Sequence, residues 1–310
     1  MGPVLASLTP VFLVIVLGWL ARVTGFVADA HWAGLERVTY VIFFPALVID
    51  TLAGADLASV PLAGVAGALV VAIVAVTVFL LAVRPWLEGW IGLDGPGFTS
   101  LFQGSTRWNT FVALSLAGSL HGGRGVTVMA VAIAAMVPLL NVLALAVLVR
   151  FAAARPRTGA EIALAFVANP FIWSCAVGLA LNPISAWLPA PVASALDITG
   201  AAALATGLLV VGAGLDLRRL VRPRAVHCLA VVLKLLLLPA VALSLARLLG
   251  VGGADLAVTA VAASVPTATA SYLLAKQLGG DAPLMAEIIT VQTLAALLTM
   301  PLMINALLPS

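Results

Sequence analysis

The sequence predicts an all-α membrane protein with ten transmembrane helices. Three observations support this fold class: 63% of the residues are hydrophobic, only 9% are charged, and the mean hydropathy is +1.21. A soluble domain carries about 25% charged residues, because its surface faces water. Runs without any charge occur at 57–83, 126–149, 162–196 and 288–310. Each run is long enough to cross the hydrocarbon core, which takes a helix of roughly 20 residues.

Short charged or Pro/Gly-rich breaks divide the chain into apolar segments. We predict transmembrane helices one to ten over 3–22, 34–53, 60–83, 98–121, 125–149, 161–182, 195–216, 225–247, 254–277 and 283–307. The breaks leave no room for a separate soluble domain. The longest basic break, Arg150 to Arg157, falls at the middle of the chain. We therefore expect two five-helix halves, 1–155 and 156–310.

Lys and Arg are distributed unequally between the two sides of this bundle. The termini and the breaks after helices two, four, six and eight hold only Arg124 and Arg247. The opposite side holds eleven: Arg22, Arg37, Arg84, Arg150, Arg155, Arg157, Arg218, Arg219, Arg222, Arg224 and Lys276. Because positively charged loops stay in the cytoplasm, we expect both termini to face outward.

The two halves share residues at a constant offset of 160 positions. Pro10 and Gly18 match Pro170 and Gly178, and the run Gly54 to Leu57 matches Gly214 to Leu217. Five helices per half give the second half the opposite orientation, so the sequence predicts an inverted repeat. Inverted repeats are recurrent in secondary transporters, whose substrate sites lie near the midplane between interrupted helices.

Predicted helices four and nine carry polar interruptions at their centres. Helix four contains Gln103, Arg107, Asn109 and Thr110, and helix nine contains Pro266 followed by Thr267. Pro266 lacks a backbone donor and displaces a carbonyl one turn earlier. Freed backbone groups are tolerated at membrane depth only inside protein or beside a watery cavity. These six residues are therefore our candidates for substrate binding.

Arg107 is the most informative of the six. A charged Arg near the bilayer centre costs roughly 2.5–3.5 kcal/mol on insertion scales, and its guanidinium binds carboxylates bidentately. One interpretation is an anion-binding group in a cavity. The alternatives are an Arg that reaches an interface, or one that pairs with Glu287 or Asp50.

Other polar residues in the predicted helices give weaker indications. Glu287 and Asp50 are candidates for carrying a coupling proton or ion, although each also fits a helix end in water. Lys234 in helix eight is expected to extend toward the cytoplasmic end. The three His are scattered, so we predict no metal site and no cofactor. The net charge of +3 comes from Arg clusters at helix ends, so we also predict no nucleic-acid binding. An intramembrane enzyme would need metal ligands or a nucleophile–base pair.

The chain resembles the auxin efflux carrier family, which contains plant PIN carriers and bacterial malonate or malate permeases. The resemblance covers essentially the whole chain. It rests on Pro10, Gly18, Phe44-Pro45-Ala46-Leu47, Gln103-Gly104, Arg107-Trp108-Asn109-Thr110, Asn169-Pro170, Pro266, Tyr272-Leu273-Leu274-Ala275-Lys276 and Thr299-Met300-Pro301. One departure stands out, because plant carriers have Pro where Trp108 stands.

The resemblance implies a fold of the kind shared by PIN carriers and bile-acid symporters. A scaffold of helices one, two, six and seven would support transport helices three to five and eight to ten, which move like an elevator. Substrate would sit where helices four and nine cross, beside Asn109, Thr110, Pro266 and Thr267. The resemblance also implies a homodimer, and we expect a bacterial inner membrane protein.

The expected function is secondary transport of small mono- or dicarboxylates, with proton or sodium coupling left open. The alternative is a sodium-coupled symporter of the bile-acid type. That alternative needs sodium ligands at the crossing, where the sequence offers Asn109, Gln103, Gln292 and backbone carbonyls.

Overall fold

The computed structural model describes residues 2–152, 164, 169–217 and 224–307, and no strand occurs among them. The helices are α1 (Gly2–Val23), α2 (Asp29–Val38), α3 (Phe44–Ala53), α4 (Leu62–Ile91), α5 (Gly95–Thr106), α6 (Thr110–Phe151), α7 (Pro170–Leu181), α8 (Ala190–Ala213), α9 (Ala225–Val231), α10 (Leu238–Leu248), α11 (Gly253–Ser264), α12 (Ala270–Leu278) and α13 (Ala282–Leu307). The all-helical prediction is confirmed over these residues. The boundary predicted at 155/156 and the start of predicted helix six lie outside them.

Seven helical segments of the described residues are long and apolar enough to cross a membrane. Three of the ten predicted spans are not counted separately. The first half of predicted helix six lies outside the described residues, predicted helix nine is divided into two short helices, and predicted helices four and five form one segment, Gly95–Phe151. The multi-pass membrane fold is confirmed, whereas the number ten stays a prediction.

The long helix α6 turns sharply at Gly122. A straight helix of its 42 residues would be about 63 Å long, roughly twice the hydrocarbon thickness. Gly122 has φ 53°, a left-handed conformation that glycine adopts without steric cost. A side chain at Gly125 would overlap the carbonyl oxygen of Ala117. The chain therefore folds back here, at the break predicted between helices four and five.

Two π-helical segments interrupt the bundle, Thr39–Phe43 and Val232–Leu237. Each ends two residues before a proline, Pro45 and Pro239. Proline lacks the N–H of a regular helix and its ring pushes aside the carbonyl one turn earlier. A local π turn accommodates that displacement, and such turns are frequent at functional sites.

Close helix contacts connect the two halves of the chain through glycine. A Cβ at Gly18 of α1 would overlap the backbone carbonyl of Leu209 in α8, and a Cβ at Gly212 would overlap the carbonyl oxygen of Ile15. In α7, a Cβ at Gly178 would lie 3.1 Å from the Cα of Ile49 in α3. Gly18 and Gly178, which match at the offset of 160, thus make corresponding contacts.

The helix connections gather at two ends of the bundle. At one end, the Arg124 guanidinium donates to both carboxylate oxygens of Asp255, at 2.7 and 2.6 Å, and to Ser59. The Asn182 amide donates to the carbonyl of Ala55 in the same connection as Ser59. At the other end, Ser100 donates to the carbonyl of Asp281. Five of the arginines that predict the cytoplasmic side lie outside the described residues: Arg155, Arg157, Arg218, Arg219 and Arg222.

We predict that Gly212→Ala destabilises the protein by about 1–3 kcal/mol, because the added methyl group overpacks the contact with α1. The measurement is the melting temperature of the purified protein in detergent. Gly89→Ala is the matched control, since a Cβ there meets nothing within 4 Å and alanine favours a helix. Equal melting temperatures of the two variants would contradict the close α1–α8 contact.

Candidate functional site

Two helices are interrupted near the middle of the bundle. The first interruption is Arg107–Asn109, between α5 and α6, and the second lies between Ser264 and Ala270, separating α11 from α12. Helices α5 and α11 have 12 residues each. They are therefore about 18 Å long, a little more than half of the ~30 Å hydrocarbon core. The predicted interruptions are present, and the first forms without a proline at Trp108.

The two interruptions touch each other through hydrogen bonds. Asn109 begins α6 as its N-cap, with its side-chain oxygen accepting from the Val112 N–H at 3.2 Å. The Asn109 backbone N–H donates to the carbonyl of Pro266 at 2.9 Å. The Thr267 hydroxyl donates to the Gly104 carbonyl at 2.8 Å. Backbone groups freed on one helix are thus satisfied by the other, as membrane depth requires.

Gln292 of α13 forms hydrogen bonds with both interrupted helices. Its side chain is fully buried. The amide nitrogen donates to the carbonyls of Gly104 at 2.8 Å and Ala230 at 2.9 Å, and the amide oxygen accepts from the Thr267 N–H at 3.1 Å. One amide therefore satisfies backbone groups of three different segments.

A cavity lies beside the crossing. Its volume is about 50 Å³. One wall is formed by the two interruptions, α6 and the start of α12, and the other by α2, the π segment Thr39–Phe43, α3, α7 and α8. Its polar lining consists of Glu36, Thr39, Tyr40, Arg107, Asn109, Thr110, Asn141 and Thr269, and its aromatic lining of Tyr40, Phe44, Trp108, Phe111 and Phe171.

Arg107 brings a positive charge to this cavity. The residue is only 8% exposed, and the single described hydrogen bond of its side chain is a long one, from Nη1 to Oδ1 of Asn141 at 3.4 Å. Among the residues that the structure describes, no carboxylate forms an ion pair with it. A guanidinium stays charged when buried, and a buried charge is ordinarily paired. The cavity therefore offers a positive group that lacks an anion.

Helix ends add to the positive potential. The N-termini of α6 and α12 both reach the cavity, since Thr110 and Ala270 line it. Each helix N-terminus carries roughly half a positive charge and presents free N–H groups. This arrangement is the same one that binds anions at helix N-termini in soluble proteins.

The predicted substrate residues divide into two groups. Arg107, Asn109 and Thr110 line the cavity. Gln103, Pro266 and Thr267 lie outside its lining. Pro266 and Thr267 build the crossing, and Gln103 is fully buried with neither side-chain polar atom hydrogen-bonded among the described residues.

Neither acid that was a candidate for coupling lines the cavity. Glu287 accepts from Arg224 and lies 3.0 Å from Nε2 of His227. Asp50 is near the end of α3. The alternative in which Arg107 pairs with one of these acids is not what the structure contains. The alternative in which it reaches an interface is also wrong, because the side chain is buried.

Five polar residues of the cavity were missed from the sequence: Glu36, Thr39, Tyr40, Asn141 and Thr269. Asn141 could have been identified from the sequence, since it is a polar residue in the uncharged run 126–149. It donates to the Val137 carbonyl at 2.8 Å and accepts from Asn169 at 3.3 Å. Glu36 and Tyr40 come from a segment far from Arg107 in sequence, so only the tertiary fold brings them together.

Comparison with known families adds an independent finding. A family model described as membrane transport protein matches residues 159–304. The match indicates a membrane transporter. It confirms the resemblance to the auxin efflux carrier family, and it spans nearly all of the predicted second half of this transporter. A search of curated proteins gave no significant match.

We predict that Gln292→Leu lowers the free energy of unfolding of the transporter by about 1–3 kcal/mol for each backbone group left without a partner. The measurement is the melting temperature in detergent. Gln277→Leu makes the same chemical change at an exposed position of α12 and should leave the melting temperature nearly unchanged. If both variants melt alike, Gln292 does not hold the crossing.

Proposed function

We propose that this transporter carries small organic anions, namely mono- or dicarboxylates, across the membrane. The observation that carries the proposal is the buried guanidinium of Arg107, which has no ion-pair partner among the described residues and lies in a cavity bordered by two helix N-termini. A carboxylate would complete the charge balance and accept hydrogen bonds from the guanidinium in bidentate fashion. Aromatic side chains around this group exclude bulk water, which strengthens the attraction between opposite charges.

The position of the cavity supports alternating access by an elevator movement. Its walls come from two sets of helices: Tyr40, Phe171 and Val210 belong to the predicted scaffold, whereas Arg107 and Thr269 belong to the predicted transport helices. When the transport helices move relative to the scaffold, a site between them opens to one side of the membrane or to the other. The reciprocal contacts of Gly18 and Gly178 support an inverted five-plus-five repeat, in which such movement exchanges equivalent states.

Glu36 is our candidate for coupling to protons. Among the residues that the structure describes, it is the only acid in the cavity lining, and it is half-buried. A carboxylate that binds a proton would reduce repulsion of an incoming anionic substrate. Glu287 and Asp50 remain candidates for the same role at greater distance from Arg107.

We predict that Arg107→Ala lowers carboxylate affinity roughly 10- to 150-fold, since a hydrogen bond to a charged group contributes about 1.5–3 kcal/mol. The measurement is the melting-temperature shift of purified protein with acetate, malonate or succinate, because a ligand of the native state raises it by mass action. Uptake into proteoliposomes should fall in parallel.

Arg37→Ala is the control for this variant. It removes one positive charge from an exposed position of α2 and should retain both binding and uptake. Normal carboxylate transport by the Arg107 variant would show that Arg107 has only a structural role and would remove the main argument for an anionic substrate.

We also propose that the protein lies in a bacterial inner membrane with both termini outside. A tag at either terminus should then react with a membrane-impermeant reagent in intact cells stripped of their outer membrane. A tag placed after Gly25, between α1 and α2, should react only after the membrane is broken. The reverse pattern would contradict the orientation.

The homodimer implied by the family stays a prediction, since a lipid-facing surface is apolar with or without a partner.

A further inference from the structure

Lys234 is a buried charged residue that the proposed transport mechanism does not use. It lies in the π segment Val232–Leu237 and is fully buried, with 0% of its surface exposed. The expectation that it extends to the cytoplasmic end is therefore wrong. Its ammonium group donates a hydrogen bond to the carbonyl of Ala263 at 3.1 Å, near the end of α11.

The Ala263 carbonyl needs a partner because of the interruption beside it. In a continuous helix it would accept from the N–H of residue 267. Here the Thr267 N–H donates to Gln292 instead, and the intervening Pro266 has no N–H to offer. The last carbonyls of a helix are unsatisfied and carry roughly half a negative charge. The Lys234 ammonium donates a hydrogen bond to the Ala263 carbonyl and also places a positive charge beside this partial negative charge.

No acid among the described residues forms an ion pair with Lys234. The charged groups on the elements packed against it all have other partners: His227, Arg247, Asp255 and Glu287. Glu287 contacts His227 and Arg224, seven or more residues from Lys234 along the chain. Asp255 at the start of α11 binds Arg124. At a rise of 1.5 Å per residue, His227 lies about 10 Å along the helix from Lys234. By the same measure, Asp255 lies about 12 Å along α11 from Ala263.

We propose that Lys234 is the resident cation of the crossing. Its ammonium occupies the carbonyl end of α11, a position that would otherwise bind a free monovalent cation. Carbonyl oxygens at interrupted helices coordinate sodium in other transporter folds, and a second cation at this end would be repelled by the ammonium. Ser264, next to Ala263, has a buried hydroxyl with no described hydrogen-bond partner and would serve as a further ligand once Lys234 is removed.

This inference rests on the proposed transport function and decides one of its open points. Transport by this chain should not depend on sodium, because the site for the ion is filled by a covalently attached charge. The two N-terminal helix ends then face the substrate cavity, while the C-terminal end of α11 is neutralised away from it.

The test compares sodium chloride with choline chloride for purified protein in the absence of any carboxylate. The wild-type melting temperature should be the same in both salts. Lys234→Ala should melt lower than wild type in choline, and sodium should raise its melting temperature by several degrees in a saturable way. Lys276→Ala, which removes an exposed lysine from α12, should show neither effect.

Two results would overturn the proposal. One is a saturable sodium response of the wild-type protein. The other is the lack of any sodium response in both Lys234→Ala and Lys234→Gln, the second of which keeps a donor for the Ala263 carbonyl. Because no carboxylate is present, a failure of carboxylate binding at Arg107 leaves this readout unchanged, and the two proposals fail separately.

Discussion

The structure depends on one constraint, which is that backbone groups freed in the middle of a membrane must find partners within the protein. Two interruptions that contact each other meet this constraint. The Asn109 N–H donates to the Pro266 carbonyl, and Thr267 and Gln292 satisfy the Gly104 carbonyl. The backbone groups that the interruptions leave free find their partners on the other interrupted helix, on α13 and, for the Ala263 carbonyl, on Lys234.

The two interruptions also place positively and negatively polarised helix ends in different surroundings. Four helix ends meet at the crossing, and their partial charges are of two signs. The N-termini of α6 and α12 reach the cavity, where Arg107 adds a full positive charge. The C-terminal end of α11 is turned toward Lys234. Positive helix ends thus border the cavity, whereas the partial negative charge at the end of α11 faces the Lys234 ammonium.

Much of this arrangement follows from local sequence. Arg107, Asn109 and Pro266 are so unfavourable in lipid that their presence predicts a protected polar region, and the structure contains one. The sequence alone did not assign the roles within it. Gln103, Pro266 and Thr267 were predicted as substrate residues, yet they lie outside the cavity lining. Side chains one position apart on an unwound segment point in different directions, and no periodicity predicts which of them face a cavity.

Residues contributed by distant elements were the least predictable. Glu36 of α2 and Tyr40 of the π segment Thr39–Phe43 line the cavity together with the first interruption, a relation that depends on the close contacts of α1 and α3 with the second half. Lys234 resembles a helix-end lysine in sequence, since it precedes a proline. It is nevertheless buried beside the Ala263 carbonyl, which lacks its helical donor because the helix is interrupted and Thr267 donates to Gln292.

The most direct test of the account is a comparison of binding affinities for carboxylates and for the corresponding amides, which are nearly equal in shape and carry no charge. Titration calorimetry of the purified protein with malonate and malonamide, and with acetate and acetamide, measures the contribution of charge at the crossing. The account predicts that at least one acid binds roughly 100-fold more tightly than its amide, a difference of about 2.7 kcal/mol. Equal affinities within each pair would contradict an anion site at Arg107.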